Sequence, residues 1–116
     1  MGTIDDYLAT LDPADGATIA AIYDVARDEV PGTEQGMGYG MPALTYRGKS
    51  LLSVMRTKTH LGIYPFSPAA IEAVTQLPDG ATRTKGSLGF PPEAPPSEGL
   101  IRVLVRARAD QIAPPT

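Results

Sequence analysis

Twelve prolines and twelve glycines in a chain of 116 residues set the main constraint on what can fold here. Proline cannot donate a helix or ladder hydrogen bond and glycine weakens both elements, so segments must be short and must end where these residues fall. Asp12-Pro13 reads as an N-cap followed by proline at the first helical position, and Pro31-Gly32 closes the segment. Between them Ile19, Ile22, Ala26 and Val30 recur at the spacing of one buried helix face, which predicts a helix over 13–30. Ahead of it, Thr3 as cap, Asp6 three residues later, and Ile4, Tyr7, Leu8 and Leu11 predict a shorter first helix. Ser67-Pro68 repeats the cap-and-proline signal before Ile71, Val74 and Leu77. Ser97 caps a last helix over 97–112, with Leu100, Ile101, Leu104, Val105 and Ile112 on its apolar face and Arg102, Arg106 and Arg108 in water.

From residue 34 to 66 the vocabulary changes to strand residues and glycine. Met37, Tyr39 and Met41 share one parity and Gly36, Gly38 and Gly40 the other, which reads as one strand with a bare face for close approach. Pro42 marks a strand end, an edge or a bulge. Residues 43–46 and 50–55 flank an Arg47-Gly48-Lys49 hairpin turn, and 60–65 form the next strand. Leu52 and Val54 put the core parity on even numbers, Leu61 and Ile63 on odd ones, so a turn or bulge must fall within 56–59. Residues 81–90 read as an irregular last strand, and 113–116 as a frayed tail. Strands grouped between helices predict one α+β domain over 1–116, an antiparallel sheet with N- and C-terminal helices packed on one face.

Composition excludes several chemistries. With no cysteine there is no disulfide framework, thiolate metal site or cysteine nucleophile, and a single histidine removes every site built on two imidazoles. No nucleophile elbow, phosphate loop or dinucleotide fingerprint is present, so no enzyme is expected. A net charge of −3 argues against a nucleic-acid partner. No apolar stretch approaches the roughly 20 residues that span a bilayer, so no membrane partner is expected. The acidic start, Met1 to Asp6, lacks the basic region of a signal peptide and predicts a cytoplasmic protein.

Three groupings can carry chemistry. His60, Gly62 and Tyr64 alternate along one strand face beside Lys58, and the glycine predicts a gap between imidazole and phenol that suits an anion or a small ligand. Packing of Tyr64 into that gap is the alternative. Asp24 and Asp28 sit four apart on the exposed side of the second helix with Glu29 adjacent and Glu34 just beyond. Their repulsion is the kind a hard divalent cation offsets, and a solvated face neutralised by Arg27 is the alternative. Arg83 and Lys85 form a small positive patch with Arg56 and Lys58.

Glu34, Tyr39-Gly40-Met41-Pro42, Tyr46 before Gly48-Lys49, and Lys58-x-His60-x-Gly62-x-Tyr64-Pro65 resemble the YdhG-like family of small bacterial proteins of unknown function. The opening 3–8, and Lys85-Gly86, Phe90-Pro91, Pro96 and Leu100 through Arg108, extend the resemblance over nearly the whole chain. Thr59 departs from it, since the family more often has asparagine there. The resemblance implies a sandwich similar to frataxin in layout and no established catalytic residue. Some members are described as intracellular iron chaperones, which implies Fe²⁺ or Fe³⁺ on Asp24, Asp28 and Glu34, delivered to an iron-acceptor protein. The second reading is a binding module for a small ligand or protein partner, built on Glu34, Tyr39, Met41, Lys58, His60 and Tyr64. A monomer or weak dimer is expected.

Overall fold

Proline at the first helical position and an apolar stripe produce the longest helix, α2 (Pro13–Glu29), in the computed structural model, which describes residues 2–115. Met1 and Thr116, the ends of the expected acidic start and frayed tail, lie outside the described residues. Before α2 comes α1 (Thr3–Leu8); after it come β1 (Thr33–Gly38), β2 (Met41–Tyr46), β3 (Lys49–Arg56) and β4 (Leu61–Tyr64). Then follow α3 (Pro68–Ala73), β5 (Thr82–Arg83), β6 (Leu88–Phe90) and α4 (Glu98–Ile112). The strands form one antiparallel sheet in the order β1-β2-β3-β4-β6-β5. Helices α2 and α4 pack on each other and on β3, so both lie on one face, as their stripes require. Ile19, Ile22, Tyr23 and Ala26 of α2 meet Ile101, Leu104 and Val105 of α4 over Leu52, Val54, Leu61, Ile63 and Phe90. Among the described residues no helix is long and apolar enough to cross a membrane.

Ser67 and Ser97 cap α3 and α4, each accepting a backbone N–H at 3.2 Å. Thr3 does not cap α1. It is the first helical residue, and its hydroxyl donates to the carbonyl of Gly36. The N–H groups of Ile4 and Asp5 go instead to Gln35 Oε1, at 2.9 and 3.0 Å, so a strand side chain closes the helix end and ties α1 to the edge strand β1.

Two more expectations change. Residues 37–41 are not one strand: β1 and β2 are joined at Tyr39-Gly40, both at positive φ (49° and 78°), in a two-residue hairpin. Arg47-Gly48 makes the same kind of turn one strand later, with φ of 52° and 82°. Residues 81–90 form a hairpin, β5 and β6, around a turn in which the Thr84 hydroxyl accepts from Gly86 and Ser87 N–H.

Along its length β3 changes partner. Its first half pairs with β2 up to Leu52, and its second half with β4 from Ser53 to Arg56. Leu51 is an extra residue between the Thr45↔Ser50 and Leu44↔Leu52 pairs, and this bulge lets Leu51 and Leu52 both enter the core. Beyond Leu52 the β2 edge of β3 has no strand partner. There the phenols of Tyr23 and Tyr7 accept the N–H groups of Val54 and Arg56, each at 2.7 Å, and Ser53 Oγ donates to the Pro42 carbonyl at 2.7 Å. Two helices thus supply the acceptors that a neighbouring strand would have provided.

Candidate functional site

The acidic residues do not form a metal centre. Asp24 pairs with Arg27 at 3.2 Å, Asp28 with Arg102 at 2.8 Å, and Glu29 with both Arg102 and Arg106. Glu34 lies exposed on β1. Among the described residues no three histidine, aspartate or glutamate side chains are close enough to hold an ion, so the structure does not bring Asp24, Asp28 and Glu34 together. The physical reason is α4. Its arginines, expected in water, reach across to α2 and balance the repulsion that motivated a cation. The bonds from Glu98, Asp28 and Glu29 hold the Arg102 guanidinium more firmly protonated than usual.

The His60 segment has the expected parity but not the expected gap. A Cβ on Gly62 would lie 2.6 Å from the Tyr64 hydroxyl, because the Tyr64 ring already lies over the glycine. His60 sits apart, in the turn before β4, with Nδ1 3.0 Å from the Thr57 hydroxyl and 3.1 Å from that of Thr59. Threonine at 59, where the resemblance left a turn role open, holds its hydroxyl against the imidazole in that turn. The imidazole packs over Gly89 and borders a cavity of about 230 Å³ with Gly80, Thr82 and Glu93. Lys58 is in the exposed turn. Glu34, Lys58 and His60 therefore leave the site that sequence placed them in.

Tyr39, Met41 and Tyr64 do come together. With Phe66, Pro68 and Gly86 they line a separate cavity of about 230 Å³ at the tip of the β1–β2 hairpin. Tyr39 is 89% exposed, and its ring stacks on Phe66 at a centroid distance of 5.5 Å and an angle of 35°. Both residues are at positive φ, 49° and 60°, uncommon for bulky side chains. Phe66 in turn rests on the backbone of β1: a Cβ on Gly38 would lie 2.7 Å from its Cζ and 2.6 Å from Ser50 Oγ. Gly38 is thus the glycine that permits close approach here. Met37, 52% exposed, precedes Gly38 on β1 and projects from the opposite face of the strand. On the flank, Arg108 donates from Nε to the Ser50 carbonyl at 3.0 Å. Burial lowers its pKa, while the nearby Tyr39 acts in the opposite sense. Phe66 is the residue sequence reasoning missed. Its position just before the Ser67 cap marked it only as a flank of α3.

An aromatic at Tyr39 costs backbone strain that asparagine or glycine at that turn position would not. Tyr39→Asn is therefore expected to leave stability unchanged or raise it by up to about 1 kcal/mol, despite the lost stacking on Phe66. Urea unfolding checks this, and a loss greater than that amount would make the stack a structural element.

The sheet order, the one-sided helical cover and the bent β3 define the class: an α+β protein of the YdhG-like fold. The chain superposes on the crystal structure of a DUF1801 family protein, YdhG, from Bacillus subtilis with a TM-score of 0.79. The two are 19% identical, and the match covers 96% of this chain and 92% of that one. No family model and no curated protein matches the chain in sequence.

Proposed function

We propose that the protein is a non-catalytic binding module that docks an apolar side chain of a protein partner on the surface formed by Tyr39, Met41, Tyr64 and Phe66. The observation that supports this is Tyr39, an exposed aromatic held on a second aromatic by a strained turn. Strain of this kind costs of order 1–3 kcal/mol and collects at functional sites. Tyrosine, phenylalanine and methionine are enriched at protein interfaces. The cavity, about 230 Å³, is smaller than the roughly 300–1,000 Å³ of small-molecule sites, which favours a single side chain over a whole ligand. Iron carriage, which the family resemblance implies, has no converging ligand set among the described residues to support it.

Titration of the labelled protein with indole and p-cresol, followed by two-dimensional NMR, tests the reading. The expected result is saturable shifts at residues 37–41, Tyr64 and Phe66, lost in Tyr39→Ala. Shifts confined to the larger groove of about 640 Å³ between α3 and α4, lined by Val74, Leu77, Leu100 and Val103, would overturn it.

A further inference from the structure

The aromatic surface has a charged neighbour. Pro68 and the β5–β6 turn separate it from a second cavity of about 390 Å³, lined by Pro68, Ile71, Glu72, Arg83, Thr84 and Lys85. Pro68 borders both cavities, and Lys85 precedes Gly86 of the aromatic one, so the two lie side by side. Its cations are uncompensated. Arg27, Arg56, Arg102 and Arg106 each pair with a carboxylate, whereas among the described residues Arg83 and Lys85 have none within ion-pair distance. Arg83 uses two guanidinium nitrogens on the carbonyls of Ile71 and Val74 at the end of α3, which fixes its position and leaves its charge in place. Arg108, also without a carboxylate partner there, flanks the other side at Tyr39. Glu72 is the one carboxylate in either lining. A chain of net charge −3 therefore presents a locally positive rim around its most exposed aromatic.

From this complementarity we infer that the partner segment is acidic: a short peptide whose aromatic or aliphatic anchor sits against Tyr39 and Phe66 while neighbouring aspartates or glutamates face Lys85, Arg83 and Arg108. This rests on the reading of the aromatic surface as a docking site. Exposed ion pairs are individually weak, so the acidic flank adds selectivity and encounter rate on top of the anchor's burial. Two such pairs correspond to about a fivefold gain in affinity, and the gain must fade with salt because Lys85 and Arg83 are exposed.

Random heptapeptides displayed on phage, selected on the intact protein, give the test. The expected enriched sequences carry one aromatic, leucine or methionine and at least two acids. As synthetic peptides they should lose about fivefold in affinity when the acids become serine or at high salt, about twofold on Lys85→Gln, and all binding on Tyr39→Ala. Lys85 is exposed and among the described residues bonds no other side chain, so Lys85→Gln leaves the fold unchanged. Enriched peptides that need Tyr39 but are neutral or basic, or that ignore Lys85→Gln, overturn the acidic inference and leave the docking surface standing. Enrichment that survives Tyr39→Ala, or none, overturns the docking surface itself. A fluorescent oligothymidine that binds more tightly than the selected peptides overturns both in favour of a single-stranded nucleic acid, since cations beside aromatics also suit stacked bases.

Discussion

Leu104→Ala is expected to lower the free energy of unfolding by about 2–5 kcal/mol, and Ile22→Ala by a similar amount. Leu104 is fully buried and Ile22 nearly so, and they come from the two helices that press on β3 from the same side. The apolar area lost is one part of the cost. The other is the void, which can shrink only if α2 or α4 moves toward the sheet. Arg102 and Arg106 tether α4 to Asp28 and Glu29, and Arg108 tethers it to the Ser50 carbonyl, so relaxation is restricted and the upper part of the range applies. Val103, one residue before Leu104, is 47% exposed. Val103→Ala should therefore change stability by no more than about 0.5 kcal/mol. Urea unfolding of the three variants is the check, and equal costs at 103 and 104 would show that α4 presents a different face to the core.

The helical half of this protein was legible because its information is local. A cap, a proline and a 3.6-residue stripe all lie within one segment, and Pro13, Ser67, Ser97 and the Ile19–Ile22–Ala26–Val30 stripe start their helices where expected, although α3 ends at Ala73 and leaves Val74 and Leu77, expected on its face, beyond it. Parity served equally well in β3 and β4, where Leu52, Val54, Leu61 and Ile63 are all buried. What failed was decided by distant partners. Met37 to Met41 alternates like a strand, and tyrosine is not a turn residue. Phe66, 27 positions downstream, supplies the stacking that accompanies Tyr39 at positive φ. The acidic cluster failed for the same reason, because Arg102 and Arg106 reach it from more than 70 residues away.

The site was half legible. Alternation put His60, Gly62 and Tyr64 on one face, which holds, but it could not show that Tyr64 folds back over Gly62. That fold-back turns the ring toward Tyr39 and Met41 and leaves His60 bordering a different cavity. The family resemblance pointed at two motifs: Tyr39-Gly40-Met41-Pro42 forms the hairpin tip and the start of β2, while Lys58 to Tyr64 is divided, with Tyr64 at this cavity and His60 at another.

Tyr23→Phe is the second large effect expected, and it isolates the device that lets the sheet bend. Periodicity read this part of α2 as an apolar stripe, yet the Tyr23 hydroxyl is the acceptor for the Val54 N–H, at 2.7 Å, where β2 has left β3. Phenylalanine fills nearly the same volume and removes only that acceptor. The Val54 N–H is then buried without a partner, at a cost of about 1–3 kcal/mol. Tyr7→Phe makes the matching change at the Arg56 N–H, but Tyr7 is only partly buried, so water can replace the phenol and the cost should stay below about 1 kcal/mol. A pH series separates the hydrogen bond from mere packing. Burial pushes the Tyr23 phenol up to about 12 from the ordinary 10.0, against the opposing pull of its bond to the Val54 N–H. The folded protein therefore holds this proton more tightly than the unfolded chain does. The corresponding stability, on the order of 3 kcal/mol, is whole below the unfolded value and is lost as pH rises through the folded one. The gap between wild type and Tyr23→Phe should thus be constant up to about pH 9 and narrow steadily above about pH 10. A gap that stays flat to the alkaline limit would mean that the phenol is reached by solvent and that β3 holds its bend by other means.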